Sequence, residues 1–105
     1  MKNIFNPNSI ALIGASEEKN TVGLGISQNL LKSNKKIFFI NPNRKSVLGI
    51  DCYNKINDVE ESIDLAIIAV PAKVVKNVVL DCVSKKVKGV IIISGGFREV
   101  GNQKE

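Results

Sequence analysis

Four short segments carry residue types that can hold a phosphorylated ligand. Gly14-Ala15-Ser16 follows an apolar run and leads through Glu17, Glu18 and Lys19 to Thr21, a helix-capping residue type. Backbone N–H groups and the dipole at such a helix start attract phosphate. Asn41-Pro42-Asn43-Arg44-Lys45 closes a second apolar run and delivers two cations. Val70-Pro71-Ala72-Lys73 fixes a turn beyond a third run, with Lys73 as a further candidate cation. Ser94-Gly95-Gly96 follows the fourth run and lets a ligand approach the backbone closely. Each segment taken singly also has a plainer reading, as a tight turn, a solvated basic loop or helix surface.

The chain contains no histidine. That removes the Ser–His and Cys–His nucleophile pairs, imidazole metal ligands and the commonest general base. Ser16 and Ser94 therefore have hydroxyls and no base to activate them. Cys52 and Cys82 lack metal-ligand spacing and are too few for a disulfide framework. Both are expected as small buried or half-buried residues in a reducing compartment. No Walker lysine pattern occurs, and no G-x-G-x-x-G follows a strand, because Gly23-Leu24-Gly25 falls inside the next helix. The second segment discriminates best. A site for NAD places a carboxylate there to take the ribose 2′-OH. Here Asn41, Arg44 and Lys45 stand in that place and no acid follows until Asp51. Such a loop favours an extra phosphate on the ribose, as in NADP or the 3′-phosphate of coenzyme A.

The elements that must position these loops are legible from apolar periodicity. Ser9–Ile13, 36–40, 64–70 and 89–94 are compact apolar runs of the length expected for strands buried on both faces. Val22, Ile26 and Leu30 recur every fourth residue and predict a helix from about Val22 to Ser33. Val75, Val78, Val79, Cys82 and Val83 predict a second, from Ala72 to about Lys86. Between them, 47–50 and 52–53 read as a short irregular extended piece, and 57–62 as a brief helical turn. Alternating strands and helices predict an α/β fold: a Rossmann-like open parallel sheet with helices on both faces. The four candidate segments then gather at the carboxyl ends of the strands, where such sheets bind ligands. The last apolar run ends about a dozen residues before Glu105, too few to cover its outer face. The single domain of residues 1–105 is therefore expected to be incomplete at its C-terminal end.

Composition narrows the partners. A length of 105 residues with 44% hydrophobic residues fits one packed domain. Fifteen basic against ten acidic residues give +5, compatible with nucleic acid or with a phosphorylated small molecule. One Tyr and no Trp leave little on which to stack bases, so nucleic acid is not expected. No run approaches the roughly 18 to 20 apolar residues of a membrane span, so no membrane partner is expected. Residues 1–7 lack the apolar core of a signal peptide, and a cytoplasmic location is the expectation.

In order and spacing together, these segments resemble the N-terminal CoA-binding domain of the NDP-forming acyl-CoA synthetases, the superfamily of succinyl-CoA synthetase. The resemblance begins with Phe5-Asn6-Pro7-Asn8-Ser9 and the Gly14-Ala15-Ser16 turn. It continues through Val22-Gly23, Ile40-Asn41-Pro42-Asn43, Leu48-Gly49, Tyr53, Asp64-Leu65-Ala66-Ile67, Val70-Pro71-Ala72, Gly89-Val90 and Ile93-Ser94-Gly95-Gly96-Phe97. It implies a domain that holds coenzyme A or acyl-CoA across the strand ends. The contacts it implies fall on Gly14, Ala15, Ser16 and Lys19, on Asn41, Pro42 and Arg44, on Val70, Pro71 and Ala72, and on Ile93, Ser94 and Gly95. Glu17 and Glu18 depart from the small polar residues of the succinyl type. Two carboxylates beside a diphosphate are unfavourable unless they point to solvent. Gly95, where the succinyl type carries an acid, is similar to the acetate-type, ADP-forming branch.

By this resemblance the whole protein would be an ADP-forming acyl-CoA ligase of the acetate–CoA type, in which this domain binds CoA and does not catalyse alone. ATP or ADP and Mg would be bound only by domains absent here. Its partners would be downstream ligase and ATP-grasp domains, or a separate subunit. Two alternatives stand beside it. One is a CoA-binding regulatory or scaffold module, stand-alone or fused to an acetyltransferase. The other is an NADP-binding Rossmann domain.

Overall fold

A computed structural model of the chain describes residues 6–93. Strand β1 (Ser9–Ile13) lies at the middle of a six-stranded sheet and is buried along its whole length. It pairs in parallel with β2 (Lys36–Ile40) on one side and β5 (Leu65–Ile68) on the other. The sheet continues outward from β2 to β4 (Ile50–Tyr53) and then β3 (Ser46–Val47), and from β5 to β6 (Gly89–Ile92). Every pairing is parallel except β3 with β4.

Alternation along the strands builds two cores. Ile10 and Leu12 face one side with Phe39, Leu65 and Ile67, and helix α1 (Val22–Leu31) covers them through Ile26 and Leu30. Ala11 and Ile13 face the other side with Ile40, Ala66 and Ile68, covered by helix α2 (Ala72–Lys85) through Val75, Val78, Val79 and Cys82. A single 3₁₀ turn, Ile56–Asp58, adds Ile56 to this second core. Helices on both faces of a mainly parallel sheet are the expected architecture.

The departures have local causes. The extended piece around residues 47–53 is a hairpin, and its second strand adds a fifth parallel strand to the four expected. Its two-residue turn, Leu48-Gly49, has positive φ at both positions, 51° and 83°, the conformation that matches hairpin twist. Helix α1 stops at Leu31, because Ser33 donates both its N–H and its hydroxyl to Leu30 O and tightens the last turn. Helix α2 ends one residue short of Lys86, which is left-handed at φ 64°. There the Val87 N–H bonds Cys82 O and the Lys86 N–H bonds Val83 O, while Val87 packs on the core, as in a Schellman cap. At the edge of the sheet, Val90, Ile91 and Ile92 of β6 are exposed.

Two glycines mark the backbone contact on which the strand ends depend. Gly14 has φ +101°, and a Cβ there would stand 2.1 Å from Ala69 O. A Cβ on Gly23 would stand 2.4 Å from Gly14 O, so α1 enters directly against the turn. Gly25, one residue pair further along α1, has open space around it. Gly14→Ala should therefore destabilise the chain by more than about 2 kcal/mol. Gly25→Ala should stabilise it by about 0.5–1 kcal/mol. Urea unfolding of the two variants reads both signs.

Asp64 ties the start of β1 to the start of β5. Its carboxylate accepts the Asn8 N–H at 2.8 Å and lies 3.5 Å from Lys88 Nζ. The Asn8 hydrogen bond, with Lys88 adding, holds its pKa below the ordinary 3.8. A lowered carboxylate pKa contributes stability that is complete above the unfolded value and fades as pH falls through the folded one. Asp64→Asn should thus lose stability at neutral pH and show a flatter acid limb below pH 3.8, measured by thermal melts across that range.

Candidate ligand-binding cleft

The carboxyl ends of β1, β2 and β5 meet where the chain order reverses about β1, the place where open α/β sheets bind ligands. A cleft of about 1060 Å³ opens there. Its floor is Gly14, its α1 side is Thr21, Val22 and Gly23, and its α2 side is Val70, Pro71 and Ala72. Asn41 and Pro42 form the β2 rim. A smaller polar cavity of about 490 Å³ adjoins it, lined by Ser16, Glu18, Asn41, Asn43 and Arg44.

The loop after β1 is folded by its own side chains. Thr21 caps α1: its hydroxyl accepts the Leu24 N–H at 3.2 Å and donates to Glu18 O at 2.7 Å. Ser16 Oγ accepts the Glu18 N–H at 3.0 Å, and the Ser16 N–H reaches the buried Ser27 hydroxyl at 3.4 Å. The helix therefore presents its first turn, with its positive dipole end, to the cleft. A bare Gly14 leaves this floor flat, which suits close approach of a phosphate chain.

Asn41 pins three strand ends together. Its Nδ2 donates to Ala15 O at 2.8 Å, its Oδ1 accepts the Asn43 N–H at 2.8 Å, and its own N–H donates to Tyr53 O at 2.8 Å. The side chain lines both cavities, yet its amide is spent largely on the protein. Asn41→Ala should cost about 1–2 kcal/mol by loss of two hydrogen bonds, read by chemical denaturation.

Arg44 is not a free cation. Its Nη2 lies 2.7 Å from Glu18 Oε2 and its Nη1 3.8 Å from Glu17 Oε2. Glu17 Oε1 also accepts the Leu48 N–H at 2.7 Å, so the β1–α1 loop is tied to the β3–β4 turn. The two acids thus turn onto Arg44 while keeping much of their side chains in solvent. Both thiols are free and lean toward the protonated form. Burial pushes Cys52 up against the opposing pull of Arg44, and burial raises Cys82 to about 11, with Asp81 adding. Neither offers a thiolate nucleophile at neutral pH.

Of the residues expected at the site, Gly14, Ser16, Asn41, Pro42, Val70, Pro71 and Ala72 line the main cleft, and Arg44 lines its neighbour. Ala15 is fully buried and contributes its carbonyl to Asn41, while Lys19 is exposed and lines neither cavity. Ile93 also lines neither; it continues the β5–β6 ladder by donating its N–H to Ile68 O at 2.7 Å. Ser94 and Gly95 lie outside the described residues. Sequence reasoning missed Asn54, Lys55, Val74 and Asp81 on the cleft wall. The first two follow β4, whose parallel pairing with β2 was the missing signal. Among the described residues no His, Cys, Asp and Glu cluster could hold a metal ion, and no helix is long and apolar enough to cross a membrane.

Residues 8–104 match the family described as CoA binding domain. The chain belongs to that family. This CoA-binding domain is homologous to the N-terminal part of ADP-forming acetate–CoA ligases. It is 49% identical over 102 residues to the acetate–CoA ligase (ADP-forming) of Methanocaldococcus jannaschii, covering 97% of this chain and 14% of that enzyme. It is 39% identical over 100 residues to the alpha subunit of acetate–CoA ligase (ADP-forming) II of Pyrococcus furiosus, covering 94% of this chain and 22% of the subunit. Among solved structures, the dinucleotide-forming acetyl-coenzyme A synthetase 1 of Candidatus Korarchaeum cryptofilum, in complex with phosphate and ADP, superposes with a TM-score of 0.81 at 40% identity. That match covers 95% of this chain and 22% of the other. The domain thus spans less than a quarter of each of these relatives.

Proposed function

We propose that this chain binds coenzyme A across the carboxyl ends of β1, β2 and β5, as the CoA-binding domain of an ADP-forming acyl-CoA ligase of the acetate–CoA type. The observation that carries this reading is the cleft at the reversal of strand order, in a chain of the CoA-binding family. In this reading the diphosphate lies over Gly14 at the first turn of α1, and Arg44 takes the ribose 3′-phosphate. Catalysis belongs to the rest of the ligase, and the part of this chain, which has no histidine, is to hold and orient CoA. ATP, ADP and Mg would be handled by further domains or a partner subunit.

Calorimetric titration of the chain with CoA, dephospho-CoA and NADPH tests the reading. CoA should bind, dephospho-CoA should bind more weakly, and NADPH should not displace CoA. Displacement by NADPH would move the assignment to a nicotinamide-cofactor domain, and silence toward CoA would end it. Arg44→Glu should weaken CoA by about 1–3 kcal/mol, the scale of a lost charge-assisted contact, and leave dephospho-CoA much less affected.

A further inference from the structure

The polar cavity beside the main cleft holds a cation and its own internal competitor. Arg44 and Glu18 both line it, and they are paired across it at 2.7 Å. Arg44 keeps only 26% of its side chain exposed, whereas Glu18 is 68% exposed. The guanidinium is thus held in place by its surroundings, and the carboxylate is the partner with freedom to leave. Glu17 stands behind it, 3.8 Å from Nη1, with its other oxygen engaged by the Leu48 N–H.

A carboxylate presents two oxygens to an arginine much as a phosphate does. A phosphate entering this cavity meets Arg44 and Glu18 together, and the two anions cannot share the same N–H face without repulsion. Within the cavity's lining, one cation faces one acid, and Glu17 adds a second at its edge. The local charge is therefore net negative while Glu18 stays, and its departure removes the acid nearest the guanidinium.

We infer that Glu18 is a built-in stand-in for the ligand phosphate on Arg44, so that it sets how strongly the site favours a ligand carrying a phosphorylated ribose. Binding exchanges one ion pair for another: the Glu18 carboxylate leaves Arg44 for solvent and the phosphate takes its place. Glu17 stays on the Leu48 N–H and keeps the hairpin turn in position during the exchange. This rests on the CoA-binding reading above.

The test is the ratio of affinities for CoA and dephospho-CoA, measured by calorimetry at low ionic strength on the chain, on Glu18→Gln, on Arg44→Gln and on the double variant. Glu18→Gln removes the charge, keeps the size and lies on the surface, and its melting temperature reports that it is folded. The ratio should rise about fivefold in Glu18→Gln, the scale of one close charge pair in a solvated setting. With Arg44 replaced, Glu18→Gln should leave the ratio where Arg44→Gln alone puts it. A ratio that is unchanged or lower in Glu18→Gln, while the parent chain binds CoA, would overturn the stand-in role and leave the CoA reading intact. Absence of CoA binding by parent and variant alike would instead remove the reading on which the inference rests.

Discussion

A single backbone junction underlies the cleft. The turn after β1 runs so close to β5 and to the start of α1 that neither Gly14 nor Gly23 has room for a Cβ. Because the chain order reverses about β1, the loops on its two sides lead to opposite faces of the sheet and leave a crevice between them. The junction sets the depth of that crevice, and the two helices set its walls. The second core feeds into it. Ile13 and Ile40, at the last positions of β1 and β2, are buried in the second core and line the cleft floor as well.

The rim divides into a neutral half and an ionic half. Around Asn41, two hydrogen bonds of 2.8 Å join the ends of β1, β2 and β4, and a third of 2.8 Å closes the loop after β2. Hydrogen bonds between uncharged groups, partly shielded from water, fix that half whatever the salt. Around Arg44 the connections are carboxylate to guanidinium and carboxylate to the Leu48 N–H, exposed and individually weak. Leu48 sits at φ 51°, a conformation unusual for a branched side chain, and the Glu17 contact helps to hold it. The stiff half orients a ligand, and the soft half can rearrange around it.

The sheet was legible in the sequence because its strands are short apolar runs punctuated by turn residues, and its helices are amphipathic stretches of the right period. Ile10 and Leu12 against Ala11 and Ile13 could be assigned to a strand buried on both sides without knowing their partners. The hairpin was less visible: Leu48-Gly49 is a turn only because Leu48 accepts a left-handed backbone, which composition does not announce. Missing it hid β4, and with β4 the approach of Asn54 and Lys55 to the cleft. The rim charges were legible singly but not as a pair, for a related reason. Arg44 and Glu18 are 26 residues apart, and only the parallel pairing of β1 with β2 brings their loops together. Such long-range pairing is a property of the folded sheet, whereas the local signals that place strands and caps are not.

The Arg44–Glu18 contact also bears on how the site senses its medium. A cation that binds phosphate from a bath of free counterions releases them, and its affinity then falls steeply with added salt. Here the counterion is covalently tethered and stays within reach after it is displaced. Few mobile ions are gained or lost in the exchange, so electrolyte acts on both sides of it almost equally. The affinity of this subsite would then vary little between dilute and concentrated salt, a form of buffering written into two neighbouring loops.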